Sequence, residues 1–287
     1  MPILPLRKLP DRPNAPVMQE WLAKIEADLD DASIDNNDVC RRVLCEIMYP
    51  EYAANWETAV NDASLPHGTR LALAALDPRN ITLEPEYYAE CDDVKFQRVK
   101  PLLWLWYSFD RTALGAQNVE LGVQLRRILA PRIFKRCGKN FKAFHNVEFS
   151  FGYNMEVGDD VVVHRYVLLD DRGGIVLGDR VSISDFANIY SHTHSIIDQK
   201  DVTNALTVLD DGVRITYHAT VLAGVRVNEE GMVGAVAVAT KDVRPYHVNV
   251  GIPAKSVRVK PNAPVGPDSL TTVRTGEWSL KNPTTSD

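Results

Sequence analysis

The sequence contains no hydrophobic run long enough to cross a membrane, since no window approaches the roughly 18 consecutive apolar residues that a membrane helix needs. It also has no surplus of basic charge: the formal net charge is −6, which disfavours a general nucleic-acid binder. Prolines and charges in the N-terminal MPILPLRKLPDRPNAP interrupt the apolar segment that a signal peptide would need. We therefore expect a cytoplasmic protein with no membrane span and no nucleic-acid partner.

Cysteine is scarce. The four cysteines form no C-x-x-C pair, which argues against both a zinc site and a disulfide framework. Free thiols of this kind are typical of a reducing compartment.

The N-terminal half has the apolar spacing of helices and contains no module that we can name. Helical spacing is visible at 17–31, 35–50, 68–76 and 118–137. We predict a helical region of unknown role at 1–145, which begins with a Pro-rich extended arm at 1–16. The polar segment 261–287 is rich in Pro, Ser and Thr and is predicted to be a flexible C-terminal tail.

From about residue 146 the spacing changes to pairs of aliphatic residues that recur every six positions. The second member of each pair is apolar at eleven positions in three registers: Val157, Val163, Leu169, Leu177, Ile183, Ile189, Ile215, Val221, Val227, Val233 and Ala239. A period of six predicts short flat strands separated by turns at a fixed offset, and three such hexads close one triangular coil. The segment DDRGG adds two residues to this repeat, and a longer interruption begins at His192.

Four pieces of the sequence carry a family resemblance. They are FGYNMEVGDD, LLDDRGGIVLGDRVSIS, YSHTHSIID and VATKDVRPYHVNVGIPAKSVR, in that order. The run at 147–260 resembles the hexapeptide-repeat acyltransferases, and above all the sugar O-acetyltransferases of the maltose, galactoside, nodulation and colanic-acid types. The fold that we expect is therefore mainly β: a left-handed parallel β-helix at 146–260 with an N-terminal α-helical domain that caps one end.

The resemblance implies an acetyltransferase that moves an acetyl group from acetyl-CoA to a hydroxyl of a sugar or saccharide-like acceptor. An amino-sugar amine is the alternative acceptor, and no metal is expected. The attacking hydroxyl must lose a proton, and histidine is a suitable base for that step. His194 matches the family's catalytic histidine and is our candidate for this base. His192 either orients the substrate or is a polar filler of the loop.

Candidate acceptor residues lie in two neighbouring segments. Asp170 and Asp171 are predicted on the acceptor side of the site, and either of them, or Asp198, would orient His194 through the other ring nitrogen. In the resembling proteins an asparagine that contacts the acceptor precedes the L-D-D stretch. This chain instead reads HRYVLLDD, and Arg165 there would suit a charged acceptor.

Coenzyme A binding is implied for the C-terminal coils. The small residues that correspond to the pantetheine groove are Ala223, Gly224, Gly234, Ala235 and Thr240. Lys241 and Lys255 are candidates for the phosphates, and Arg258 or Lys260 for the 3′-phosphate. Because this groove lies between subunits in the family, the resemblance also implies a homotrimer.

Two other functions fit the same repeat. In the first, His192, His194 and His218 would be zinc ligands of an enzyme similar to the γ-class carbonic anhydrases. In the second, the chain would be a non-catalytic binding protein. The histidine spacing of that carbonic anhydrase class is absent, and both the C-terminal TKD…PAK sequence and His194 favour the acetyltransferase.

Overall fold

The computed structural model describes residues 15–198 and 201–264. Most of the predicted N-terminal arm and of the predicted tail lies outside these residues. Ala15 and Pro16, which we expected in the arm, begin the first helix. None of the helices in the described ranges is long and apolar enough to cross a membrane.

The N-terminal region is helical, as predicted. Its α-helices are α1 (Ala15–Asp30), α2 (Asn36–Met48), α3 (Trp56–Asn61), α4 (His67–Ala74), α5 (Pro85–Glu90), α6 (Asp93–Asp110), α7 (Ala113–Gln117) and α8 (Val119–Ile133). Two short 3₁₀ turns lie at Pro50–Tyr52 and Pro78–Asn80. Side chains of α2, α6 and α8 form most of the helical core, and this core is continuous with the interior of the β-domain.

Short strands follow one another around three faces. The first face contains β1 (Arg136–Cys137), β4 (Met155–Val157), β7 (Ile175–Leu177), β12 (Thr207–Leu209) and β15 (Arg226–Val227). The second contains β2 (Lys142–Ala143), β5 (Val162–Val163), β8 (Ser182–Ile183), β13 (Arg214–Ile215), β16 (Met232–Val233), β18 (His247–Val250) and the antiparallel β19 (Lys255–Val259). The third contains β3 (Glu148–Phe149), β6 (Leu168–Asp170), β9 (Asn188–Tyr190), β14 (Thr220–Val221) and β17 (Val238–Ala239). A separate hairpin pairs β10 (His192–His194) with β11 (Val202–Asn204).

Strand pairing confirms a parallel β-helix with N-terminal helices, in agreement with the predicted fold class. All eleven hexad positions named above are buried, so the repeat fills the axis of the prism. The parallel strands start at Arg136, ten residues before the predicted start at 146. The hexad pattern does not reveal the first coil, because Phe141 and Phe149 fill two of its interior positions, where later coils carry aliphatic residues.

One corner of the prism explains the recurring Gly-Asp pairs. The carboxylate of Asp179 accepts from the backbone N–H of Asp159 at 2.8 Å, and that of Asp211 accepts from the N–H of Asp179 at 2.8 Å. The residue after each Asp takes a left-handed conformation, with φ of 58° at Asp160 and at Arg180. Carboxylates therefore satisfy backbone donors from coil to coil. The coils approach so closely that a Cβ would clash at Gly158 and at Gly178, which precede Asp159 and Asp179.

Gly178 at this corner gives a direct stability test. A Cβ there would lie 2.4 Å from Asp211 Oδ1 and 2.7 Å from its backbone nitrogen, so Gly178→Ala should cost about 1–3 kcal/mol in the free energy of unfolding. The matched control is Gly68→Ala on α4, where a Cβ meets nothing within 4 Å and should stabilise by about 0.5–1 kcal/mol. Urea unfolding of both variants measures the contrast; equal effects would contradict the close approach.

Side chains of the helical region satisfy the open edges of the first coil. Trp106 Nε1 donates to the carbonyl of Val147 at 3.1 Å. The hydroxyl of Tyr107 donates to the carbonyl of Phe149 at 3.1 Å and accepts from its N–H at 3.0 Å. Strand edges left open in this way would pair with other chains. The helices therefore act as the cap that the repeat requires.

Candidate active site

The catalytic-loop candidate is an insertion into one coil. Paired positions are 20 residues apart from β4 to β7, 32 apart from β7 to β12 and 18 apart from β12 to β15. The insertion leaves the prism after Tyr190 and returns at Thr207 as the β10–β11 hairpin. In this hairpin His192 pairs with Asn204 and His194 pairs with Val202. The predicted interruption therefore projects both histidines beyond the prism.

Asp170 fixes His192. It is the last residue of β6, its side chain is buried, and its Oδ2 contacts Nδ1 of His192. Its Oδ1 accepts from the Ser150 hydroxyl at 2.5 Å. Burial opposes ionisation of Asp170, but the hydrogen bonds from Ser150 and His192 outweigh it and lower the pKa of the carboxyl below its usual range.

Arg172 links this pair to the helical region. Its guanidinium is 5% exposed and donates to Asp170 Oδ1 at 3.3 Å and to Glu90 Oε1 at 3.1 Å. It also donates to Glu86 Oε1 and contacts Nε2 of His192. The guanidinium carbon lies 5.0 Å from the ring centroid of Tyr87. Arg172 therefore connects the turn after β6, the hairpin and α5.

The two histidines differ in what they can do. Both ring nitrogens of His192 contact buried internal groups, so His192 holds the loop in place more readily than it takes a proton from a substrate. The His194 ring lies 5.3 Å from that of His192, and its side chain is 34% exposed, against 13% for His192. His194 Nε2 lies 3.7 Å from Glu86 Oε1.

The part of the site that α5 provides could not be predicted from the sequence. Glu86 lies in DPRNITLEPEYY, a stretch that reads as turn-rich and irregular, and Glu90 follows two residues after its end. Asn204 Nδ2 in β11 donates to Glu90 Oε2 at 2.8 Å, so α5 contacts both the hairpin and Arg172. More than eighty residues separate α5 from Arg172, and no periodicity links segments that far apart.

Asp171 occupies a different place from Asp170. Its side chain is fully buried, and its oxygens accept from the backbone N–H groups of Phe151 at 2.8 Å and of Asn154 at 3.1 Å. Both oxygens therefore bond the turn of the preceding coil. Asp198 lies in the hairpin loop. Its backbone N–H donates to the Ser195 hydroxyl, and its backbone carbonyl accepts from the N–H of Asp201.

Arg165 lies at another corner, between the second and third faces. It pairs with Asp185 through Nε at 2.8 Å and is half exposed. The same corner carries a stack in which Phe186 lies 4.9 Å from Tyr166 and 4.8 Å from His218. Within a single chain, Arg165 therefore lies at a different corner of the prism from Asp170. His218 likewise lies at a different corner from the two hairpin histidines. Among the described residues no three His, Cys, Asp or Glu side chains are grouped so that they could hold a metal ion.

The predicted coenzyme residues fall on two corners. Ala223 and Gly224 follow β14, and Thr240 and Lys241 follow β17, so these four stack beyond the end of β9 where the hairpin leaves the prism. Gly234 and Ala235 follow β16 at the corner of Arg165. Lys255 and Arg258 lie on β19, and Lys260 pairs with Glu230 at 2.9 Å.

Asp170 should make the stability of the domain depend on pH. Because its folded pKa is depressed, its ionised form stabilises the fold above the unfolded value of about 3.9, and this stabilisation is lost as the pH falls through the folded pKa. Asp170→Asn should therefore cost about 1–3 kcal/mol at pH 7. The difference in the free energy of unfolding between this variant and wild type should shrink toward pH 3. Urea unfolding at both pH values checks this, and an equal deficit would contradict it.

Comparison with known proteins agrees with the geometry. No protein-family model matches the chain. It is 24% identical over 140 residues to the galactoside O-acetyltransferase of Escherichia coli K12, an alignment that covers 47% of this chain and 69% of that one.

Two solved structures share the fold. A maltose O-acetyltransferase from Clostridium difficile 630 has a TM-score of 0.52 at 23% identity, over 62% of this chain and 89% of its own. A galactoside acetyltransferase in complex with coenzyme A has a TM-score of 0.51 at 22% identity, over 63% and 92%. The resemblance to hexapeptide-repeat acetyltransferases is confirmed, and a coenzyme A ligand accompanies the fold in one of these relatives.

Proposed function

We propose that this chain transfers an acetyl group from acetyl-CoA to a hydroxyl of a saccharide-like acceptor. The observation that carries the proposal is the interrupted coil, which projects His194 beside a part-buried Asp170–His192–Arg172 network at the point where the β-helix repeat stops. Proteins of the same fold that are similar to this chain are named galactoside and maltose O-acetyltransferases, which supports this choice of reaction.

His194 is the general base in this proposal. The acceptor oxygen attacks the thioester carbonyl carbon while His194 takes the hydroxyl proton. The tetrahedral intermediate then collapses, the C–S bond breaks, and the imidazolium returns the proton to the departing thiolate. No covalent enzyme intermediate forms, so the rest of the rate enhancement comes from holding the two substrates together.

Ala223, Gly224, Thr240 and Lys241 are the proposed coenzyme contacts on the corner of the hairpin. Gly234, Ala235, Lys255 and Arg258 are the proposed contacts on the neighbouring corner and edge. Small side chains let a pantetheine arm approach the backbone, and the cations suit phosphate groups.

In a homotrimer, the proposed coenzyme contacts on the two corners would come from neighbouring subunits. Packing three prisms side by side places the hairpin corner of one chain against the Arg165 corner of the next, which would complete both the coenzyme groove and the acceptor site. The Arg165 corner exposes large apolar side chains, with Tyr166 47%, Tyr217 49% and Val236 59% exposed, and this supports burial there in an assembly. Asp170 then acts through His192, and Arg165 is the candidate for an acceptor contact.

A thiol-release assay tests the function. Purified protein is incubated with acetyl-CoA and a panel of sugars, amino sugars and nucleotide sugars, with and without a chelator. We expect acceptor-dependent thiol release that the chelator leaves unchanged. Bound zinc with no thiol release on any acceptor would instead favour a metal enzyme and would overturn the proposal.

A further inference from the structure

Among the described side chains, the charges that meet at Arg172 do not balance. Asp170, Glu86 and Glu90 all contact the single guanidinium of Arg172, so this group of four carries two uncompensated negative charges when the carboxylates are ionised. Arg172 is buried, and it cannot neutralise all three partners at once. An excess of negative charge favours a positive charge nearby.

The three carboxylates differ in the partners of their oxygens. Asp170 uses one oxygen for Ser150 and Arg172 and the other for His192. Glu90 uses one oxygen for Arg172 and the other for Asn204.

Glu86 differs from the other two carboxylates because it also faces His194. Its Oε1 contacts Arg172 and also lies 3.7 Å from Nε2 of His194. Its side chain is 44% exposed at the mouth of the site, on a helix that belongs to the N-terminal region. The hydrogen bond from Arg172 lowers the pKa of Glu86, so the carboxylate stays ionised at neutral pH.

We propose that Glu86 is a positioning residue for the acetyl transfer proposed above: its carboxylate orients His194 and stabilises the imidazolium that forms when His194 takes the acceptor proton. The helical region then does more than cap the β-helix, because α5 completes the catalytic group from outside the repeat. Other charged groups near His194 in the described part of the chain are Arg172 on the turn after β6, His192 on the same strand, Glu90 on α5 and Asp198 in the hairpin loop. Arg172 donates to Glu86 and to Glu90 and contacts His192.

Glu86→Gln tests this because it keeps the shape and removes the charge. We expect kcat/KM to fall about tenfold at neutral pH with an unchanged KM for acetyl-CoA, as expected for the loss of a half-exposed charge partner. Without the nearby negative charge the protonated ring is less favoured, so the acid limb of the pH profile should move to lower pH. Glu86→Asp, which keeps the charge, should lose less activity than Glu86→Gln.

The matched control is Glu84→Gln, two residues earlier and also exposed, which should behave like wild type. A Glu86→Gln variant that loses activity without any movement of the acid limb would show a merely structural role and would overturn the inference. Equal losses in Glu84→Gln and Glu86→Gln would overturn it too.

A second readout separates this inference from the proposed function. The ring titration of His194, followed by NMR with the signal assigned from the His194→Ala spectrum, needs no acetyl transfer. Its midpoint should move to lower pH in Glu86→Gln and stay in place in Glu84→Gln. An absence of thiol release in wild type would reject the acetyltransferase, whereas an unmoved midpoint would reject the role of Glu86.

Discussion

His194→Ala should lower kcat/KM for acetyl transfer by about 10²–10⁴-fold, the usual contribution of a general base. The side chain is partly exposed at the end of β10 and its ring adds little to the core, so the fold should not change. Coenzyme A should bind the variant as it binds wild type, because its proposed contacts lie on later coils. Steady-state thiol release measures the first effect, and calorimetric titration with coenzyme A measures the second.

The matched control is His67→Ala, which removes an exposed histidine at the start of α4, far along the chain from the hairpin. It should retain wild-type activity. If activity of the His194 variant stays within about tenfold of wild type, which is below the range of a general base, then another group takes the proton. His192 would be the next candidate only if its contacts with Asp170 and Arg172 open during turnover.

Arg126→Met should cost about 3–5 kcal/mol in the free energy of unfolding, the largest stability effect that we expect from a single side chain. Arg126 on α8 is 1% exposed and pairs with the equally buried Asp110. It also donates to the carbonyl of Ala143 at 3.2 Å and to that of Gly115 at 3.1 Å. Removing it leaves a buried carboxylate uncompensated and an edge carbonyl of the first coil without this donor.

Arg136→Met on β1 is the control, because that side chain is exposed in the same part of the molecule. It should change stability by less than about 0.5 kcal/mol, as most surface substitutions do. Urea unfolding of both variants gives the comparison. A cost below about 1 kcal/mol for Arg126→Met, which is the range of a surface pair, would mean that the helical region and the β-helix are not joined through this arginine.

The β-helix could be read from the sequence because its repeat is local. Each hexad places two aliphatic residues toward the axis, and the eleven spaced positions from Val157 to Ala239 are all buried. The two extra residues of DDRGG appear as the offset of 20 between β4 and β7, and the interruption after His192 appears as the offset of 32 between β7 and β12. The coil before these, from Arg136, could not be separated from α8 because bulky Phe141 and Phe149 hide the pattern.

The site could be read only in part, because its contacts are not periodic. His194 stood out by the resemblance and by the break in the repeat. The choice of Asp170 over Asp171 as the partner of a histidine needed coordinates, since neighbouring residues of a strand point to opposite sides. Glu86 and Glu90 reach the hairpin from a segment with no pattern of its own, and nothing short of the folded chain places α5 beside it.

The stoichiometry of the reaction tests the central claim most directly. Purified protein is given acetyl-CoA and its best acceptor, free thiol is titrated, and the acceptor is analysed by mass spectrometry. Acetyl transfer predicts one free thiol for each acetyl group gained by the acceptor, and almost none of either with His194→Ala. Thiol release without an acetylated acceptor, or equal yields from wild type and His194→Ala, would contradict it.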